Sequence, residues 1–185
     1  VGEFIGFVDS DDYLVPHMYE RLYQSACSQN AQVAITNIAL YYTDTQETYL
    51  YRDTRLYERL EKQTVFSARQ APDILQSIGI WDKLYRHDFL IKHGLKYPEY
   101  TVFEDHLFSF QALVLAERIT LVNQPLYFYR KQLPTSITGR EIKNDIFKLD
   151  FLNISSQIRR FLQSTGTYEV FANEFVIYQF RNALW

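Results

Sequence analysis

Phe4-Ile5-Gly6-Phe7-Val8-Asp9-Ser10-Asp11-Asp12-Tyr13 sets an apolar, strand-type run directly against three carboxylates, Asp9, Asp11 and Asp12. A buried parallel strand reads as a near-continuous hydrophobic stretch, and α/β sheets bind ligands beyond the carboxyl ends of their strands. Acids this close repel one another, and a cation relieves the repulsion. Carboxylate oxygens suit a hard ion such as Mg2+ or Mn2+. The stretch therefore predicts a ligand site at the end of a strand. The plainer alternative is an acidic loop whose last member caps the next helix, a position aspartate favours. A calcium loop is disfavoured, because Tyr13 and Leu14 stand where an oxygen ligand and a glycine are needed.

Working outward, Pro16 suits the first turn of a helix running to about Gln29, with Met18, Leu22 and Ala26 at core-facing spacing. Val33 to Tyr42 is β-rich. A turn over 43–47 and a second strand from about Thr48 to Tyr57 complete a hairpin with one wet face. Ser67 with Gln70 forms a capping box for a helix to about Ile78. A short helix from His87 to His93 stops at Gly94, and another starts at Glu104 and runs to about Glu117. Ile119–Val122 and Pro125–Arg130 read as two strand pieces. Helices over roughly Lys143–Gln163 and Tyr168–Leu184 close the chain. The order favours an α/β class, a mixed sheet flanked by helices with a helical tail.

Composition narrows the function. The 185 residues are 47% hydrophobic, enough for the core of one domain. A net charge of −3 gives no basic face for nucleic acid. One cysteine, Cys27, excludes an internal disulfide framework and fits a reducing compartment. No apolar run approaches the ~20 residues that cross a bilayer. The chain opens on Val1 almost inside a strand, which reads as a piece of something longer.

Two further groups carry chemistry. Glu104 and Asp105 begin a helix, where the helix dipole stabilises acids by about 0.3–1 kcal/mol; a carboxylate there is also a candidate general base. His106 beside them is read as packing or surface. Trp81-Asp82-Lys83 and Tyr127-Phe128-Tyr129-Arg130 offer an aromatic floor for a sugar ring and cations for a phosphate, with Phe128 expected in the core.

Phe7-Val8-Asp9-Ser10-Asp11-Asp12, Trp81-Asp82-Lys83-Leu84-Tyr85, Phe103-Glu104-Asp105-His106-Leu107-Phe108 and Tyr127-Phe128-Tyr129-Arg130 with Ser136-Ile137-Thr138 follow one another in a familiar order. In this the chain resembles the bacterial family two glycosyltransferases of the GT-A fold. The resemblance implies inverting transfer of a sugar from a nucleotide-diphosphate donor to a saccharide or lipid-linked acceptor hydroxyl. It implies metal at Asp11 and Asp9, donor contacts from Asp9, Asp11, Asp12, Trp81, Lys83, Arg130 and Lys131, and Asp105 as catalytic base assisted by Glu104. Asparagine is usual in that family where this chain has Asp82. The family's first strand and base-binding turn lie upstream of the matched segment. The chain is thus read as the later part of the catalytic domain over 1–139, with a tail over 140–185.

Three expectations follow from that reading. Phe4–Val8 is left with an open edge through which the chain self-associates. The chain alone transfers sugar poorly or not at all. The setting is cytoplasmic, in cell-surface polysaccharide synthesis, with peripheral contact at the inner face of the membrane as a further option. Against a membrane-bound tail, Tyr168–Trp185 carries Glu169 and Glu174 but only Arg181, so packing on the domain is expected of it. The competing readings are a haloacid dehalogenase-type phosphatase built on Asp9, Asp11, Lys83 and the pair Glu104-Asp105, and a non-catalytic module derived from a transferase.

Overall fold

The computed structural model describes residues 2–51, 60, 64–98, 101, 103–131 and 145–183. A six-stranded mixed sheet runs in the order β1 (Phe4–Gly6), β5 (Lys83–Arg86), β3 (Val33–Tyr42), β6 (Ile119–Lys131), β2 (Tyr13–Leu14), and β4 (Thr48–Leu50) pairs with the far end of β3. The parallel pair is β3 with β6, in register from Val33 opposite Ile119 to Tyr42 opposite Lys131. The register slips around Asn37, opposite Pro125, which has no N–H to give the ladder. Two expected strand pieces are therefore one strand with an irregularity at the proline.

Helix α1 (Met18–Ser28) covers one face, burying Met18, Leu22 and Ala26 against Ile38, Leu84 and Tyr127. It starts two residues after Pro16 and ends before Asn30, whose φ of 47° is left-handed. The opposite face carries the larger core. There α2 (His87–Lys92), α3 (Glu104–Leu115), α4 (Asp145–Ser164) and α5 (Tyr168–Ala183) meet the sheet around Val33, Ile35, Tyr85 and Ile119. Gly94, at φ 60°, closes α2 as expected. The tail helices pack on this same core through Phe151, Ile154, Ile158, Phe171, Phe175 and Tyr178. None of the described helices is long and apolar enough to cross a membrane.

Several local expectations are corrected. β1 pairs antiparallel with β5, at the end of the sheet, and spans three residues. Its apolar run reads as doubly buried because both faces are partly covered, with Ile5 and Phe7 against the large core and Phe4 against the small one. Ser67 and Gln70 do bond, Ser67 N–H to Gln70 Oε1 at 2.9 Å, yet no α-helix follows. Pro72 excludes helical geometry from Ala71 (φ −139°, ψ 73°), and the segment becomes a 3₁₀ turn over Pro72–Gln76. The second strand of the hairpin ends at Leu50; Tyr51 is described beyond it, and 52–57 of the expected span lie outside the described residues.

Phe7, Tyr85, Tyr97 and Phe108 form one knot of rings. Phe7 lies 6.0, 5.5 and 5.7 Å from the other three, and Tyr97 stacks on Phe108 at 4.9 Å. The knot ties the strand before the first acids to the helix that begins with the second. Phe108→Ala is expected to cost about 3–5 kcal/mol, measurable by urea unfolding. A loss below 1 kcal/mol would mean the knot is not a keystone.

Among the described residues β1 pairs on one side only, and beside it lies an open groove of ≈ 550 Å³ whose lining includes Phe4, Val8, Tyr19, Tyr23 and Leu84 together with the acid Glu3. An unpaired apolar edge invites another strand. Sedimentation velocity over a concentration series is expected to show association that weakens in Phe4→Lys. A single monomeric species throughout, with fast amide exchange across 4–8, is the contrary result.

Candidate active site

Beyond β1 the chain turns tightly, the Asp12 N–H reaching the Asp9 carbonyl at 3.2 Å. The turn gathers the three carboxylates, bringing one oxygen of each of Asp9, Asp11 and Asp12 within 4.8 Å of the others. They do not play equal parts. Asp12 accepts from the Tyr127 hydroxyl at 2.7 Å and from the Arg130 backbone N–H at 2.8 Å, using both carboxylate oxygens to pin the turn to β6. The Tyr127 hydroxyl also accepts from the Asp9 N–H at 3.3 Å, and Arg130 Nε donates to the Asp11 carbonyl. The helix-cap reading of Asp12 is thereby corrected: α1 has no side-chain cap, and its N-terminal flank is His17.

The second acidic group stands within electrostatic reach of the first. Burial raises the Asp9 carboxyl, and the charges of Asp11 and Glu104 raise it further. Asp105 is raised to about 7, by burial first, then by Glu104 and Asp9, against a lowering hydrogen bond from the His106 N–H. Asp12 is raised to about 6 by burial, opposed by its bonds from Arg130 and Tyr127. The Tyr97 phenol, pushed well up by burial, feels Asp105, Glu104 and Asp9 together. Acids some 95 positions apart along the chain thus share one site.

Two polar atoms there are buried without a hydrogen-bond partner among the described residues, Glu104 Oε2 and the Tyr97 hydroxyl. Buried polar groups are nearly always satisfied, which makes this pair a candidate contact for a ligand hydroxyl. Among the described residues the Asp9 and Asp11 carboxylates accept no hydrogen bond, which leaves a hard-donor set suited to Mg2+ or Mn2+ held with several waters. Asp12, occupied by the turn, adds little to that set.

The remaining predicted residues divide. Trp81 stacks on Tyr127 at 4.5 Å and Tyr129 at 5.6 Å, extending an aromatic wall from the acidic turn. Lys131 lies over the Tyr129 ring at 4.3 Å and senses the Asp12 charge. Arg130 is partly committed to the turn. Lys83 stands apart: both it and Asp82 are 0% exposed, joined at 2.7 Å, with Lys83 also donating to the Gly79 carbonyl. A lysine buried in that pair does not face a donor phosphate, which corrects its expected role. It also explains Asp82, whose charge balances the lysine. The segment with Ser136, Ile137 and Thr138 lies outside the described residues.

Tyr97 is a neighbour of these acids that the sequence did not single out, and Tyr127, expected only as part of an aromatic floor, instead anchors the acidic turn. Of the neighbours Tyr127 and Phe128, Tyr127 is the fully buried one, while Phe128 stacks on the exposed Tyr13 at 4.8 Å. Alternation along a strand swaps faces at every residue, and the irregularity near Pro125 hides the parity. Tyr97 sits in the loop before α3, where no local pattern marks it.

Comparison with known proteins is consistent in one direction. The sequence profile described as "Glycosyl transferase family 2" matches residues 1–90. Two Bacillus subtilis proteins are similar: the putative glycosyltransferase EpsH, 32% identical over 139 residues (74% of this chain, 40% of EpsH), and the uncharacterized glycosyltransferase EpsJ, 31% over 145 (74% and 40%). In fold the chain matches S. aureus TarS 1–349 crystallised with UDP-GlcNAc, at TM-score 0.71 and 20% identity, over 98% of this chain and 50% of that one. The chain spans less than half the length of EpsH and EpsJ.

A charge held near pH 7 has a stability consequence. Asp105 binds its proton near 7 when folded and near 3.8 when unfolded. Between those values the folded state holds more protons, so stability falls as pH rises. Asp105→Asn is expected to raise the melting temperature at pH 8 by several degrees and by far less at pH 4. Equal increments at both pH values would show that the carboxyl is not strained by its surroundings.

Proposed function

The chain belongs to glycosyl transferase family 2, with a GT-A-type fold, and on that premise we propose that it forms the catalytic part of an inverting transferase. The donor would be a nucleotide-diphosphate sugar, as in the UDP-GlcNAc complex of TarS, and the acceptor a saccharide or lipid-linked hydroxyl. The observation that carries the reading is the shared electrostatic environment of Asp9, Glu104 and Asp105. The family match favours it over the phosphatase alternative.

In this reading Asp105 takes the proton from the acceptor hydroxyl as its oxygen attacks the anomeric carbon. The bond from that carbon to the diphosphate oxygen breaks on the opposite face, which inverts the configuration. A base with a pKa of about 7 is matched to neutral pH. Glu104 and Tyr97, with their unpartnered oxygens, hold substrate hydroxyls. Asp9 and Asp11 would hold Mg2+ or Mn2+, which supplies charge neutralisation for the departing diphosphate. Trp81 walls the donor pocket and Lys131 adds positive charge beside it; Asp12 and the Arg130 backbone keep the turn in shape. The setting proposed is bacterial cell-surface polysaccharide synthesis on the cytoplasmic side of the membrane. Residues 1–139 would be the catalytic part and 140–185 a tail that supports it.

Two measurements test this. Calorimetric titration with UDP is expected to show Mn2+-dependent binding that Asp11→Ala abolishes and Asp105→Asn keeps. In the complete enzyme Asp105→Asn is expected to lower transfer by roughly 10²–10⁴-fold. Binding indifferent to Mn2+, or an Asp105→Asn enzyme with normal turnover, would defeat the assignment.

A further inference from the structure

His106 follows Asp105 on α3 and is buried, yet a packing role leaves its ring nitrogens unexplained. Nδ1 lies 3.1 Å from the Tyr178 hydroxyl on α5, and Nε2 lies 3.8 Å from Asp105 Oδ1. The rings fix both positions. His106 packs tilted on Phe103 at 5.0 Å and edge-on to Tyr178 at 5.7 Å. Tyr178 is itself held by Phe110, Phe151 and Phe175 at 5.9, 5.9 and 6.4 Å and is 0% exposed.

Hydrogen-bond accounting chooses the tautomer. If Nδ1 carried the proton, the Tyr178 O–H would be buried without the acceptor this contact provides, and the Nε2 lone pair would face a carboxylate. If Tyr178 donates to Nδ1, the proton sits on Nε2 and points its dipole at Asp105. Burial lowers the imidazole to about 4, so the ring stays neutral and one tautomer must serve.

We propose that Tyr178 is a positioning residue for Asp105: its hydroxyl donates to His106 Nδ1 and fixes the tautomer whose Nε2–H faces the Asp105 carboxylate. The proposal rests on the reading of Asp105 as the base and extends it. It makes the second tail helix part of the catalytic arrangement, since the helix that packs beneath α3 also supplies the group that orients the side chain next to the base. A neutral N–H dipole steadies the carboxylate in one orientation without neutralising it as a full positive charge would.

Nitrogen-15 spectra of imidazole-labelled full chain test it without any variant: wild-type His106 is expected as the Nε2–H tautomer, and an Nδ1–H tautomer overturns the proposal. Tyr178→Phe keeps the ring and its packing, and is expected to turn His106 into a mixture of tautomers; an unchanged spectrum overturns it. Asp105→Asn is expected to move the His106 Nε2 resonance while Glu117→Gln, at an exposed site beyond the helix, leaves it in place. No response to Asp105→Asn would mean the imidazole does not face the carboxylate. These spectra decide the positioning role independently of turnover, so a fully active Asp105→Asn enzyme would sink the base assignment alone.

Discussion

The site depends on four aromatic rings closing over one another. Phe7, Tyr85, Tyr97 and Phe108 come from the residue just past β1, from β5, from a loop and from α3, with centroids 4.9–6.0 Å apart in the five contacts among them. Such pairs add about 0.5–1.5 kcal/mol each beyond the area they bury. Their larger consequence is positional. Phe7 stands two residues before Asp9, and Phe108 lies one turn of α3 beyond Glu104 and Asp105, so the rings that fill the core also set the acids against each other.

A second constraint shapes the acidic turn. Asp12 gives both carboxylate oxygens to Tyr127 and the Arg130 N–H, and Arg130 gives its Nε to the Asp11 carbonyl. The turn is fixed to β6 by its own third acid, while the Asp9 and Asp11 carboxylates take no part in that anchoring. The same division recurs at the other end of the site, where His106 and Tyr178 pack beneath Asp105.

Burial of charge has opposite outcomes at two places. Asp82 and Lys83, both fully enclosed, neutralise one another and are tied to Gly79 and Ser77; removing either would strand the other at a cost of about 3–5 kcal/mol. Asp105 is raised to about 7 first by its own burial and then by its like-charged neighbours Glu104 and Asp9. Paired charge serves the fold, while like charges gathered in a buried place shift a carboxyl's proton affinity.

Much of this was legible along the chain. The apolar run into Asp9, the Met18, Leu22 and Ala26 spacing, the stop at Gly94 and the acidic start of α3 are local patterns, and each found its element. The chemical groups and the family resemblance were local as well. What no local pattern carried was partnership: that Lys83 faces Asp82 rather than solvent, that Tyr127 rather than Phe128 turns inward, and that Tyr97 and Tyr178 stand beside Asp105. The amino-acid order determined which chemistry is present and where along the backbone it sits. Only the folded chain decided which oxygens remain free, because that depends on strand parity and on ring contacts between residues up to about 115 positions apart, neither of which leaves a trace in the spacing.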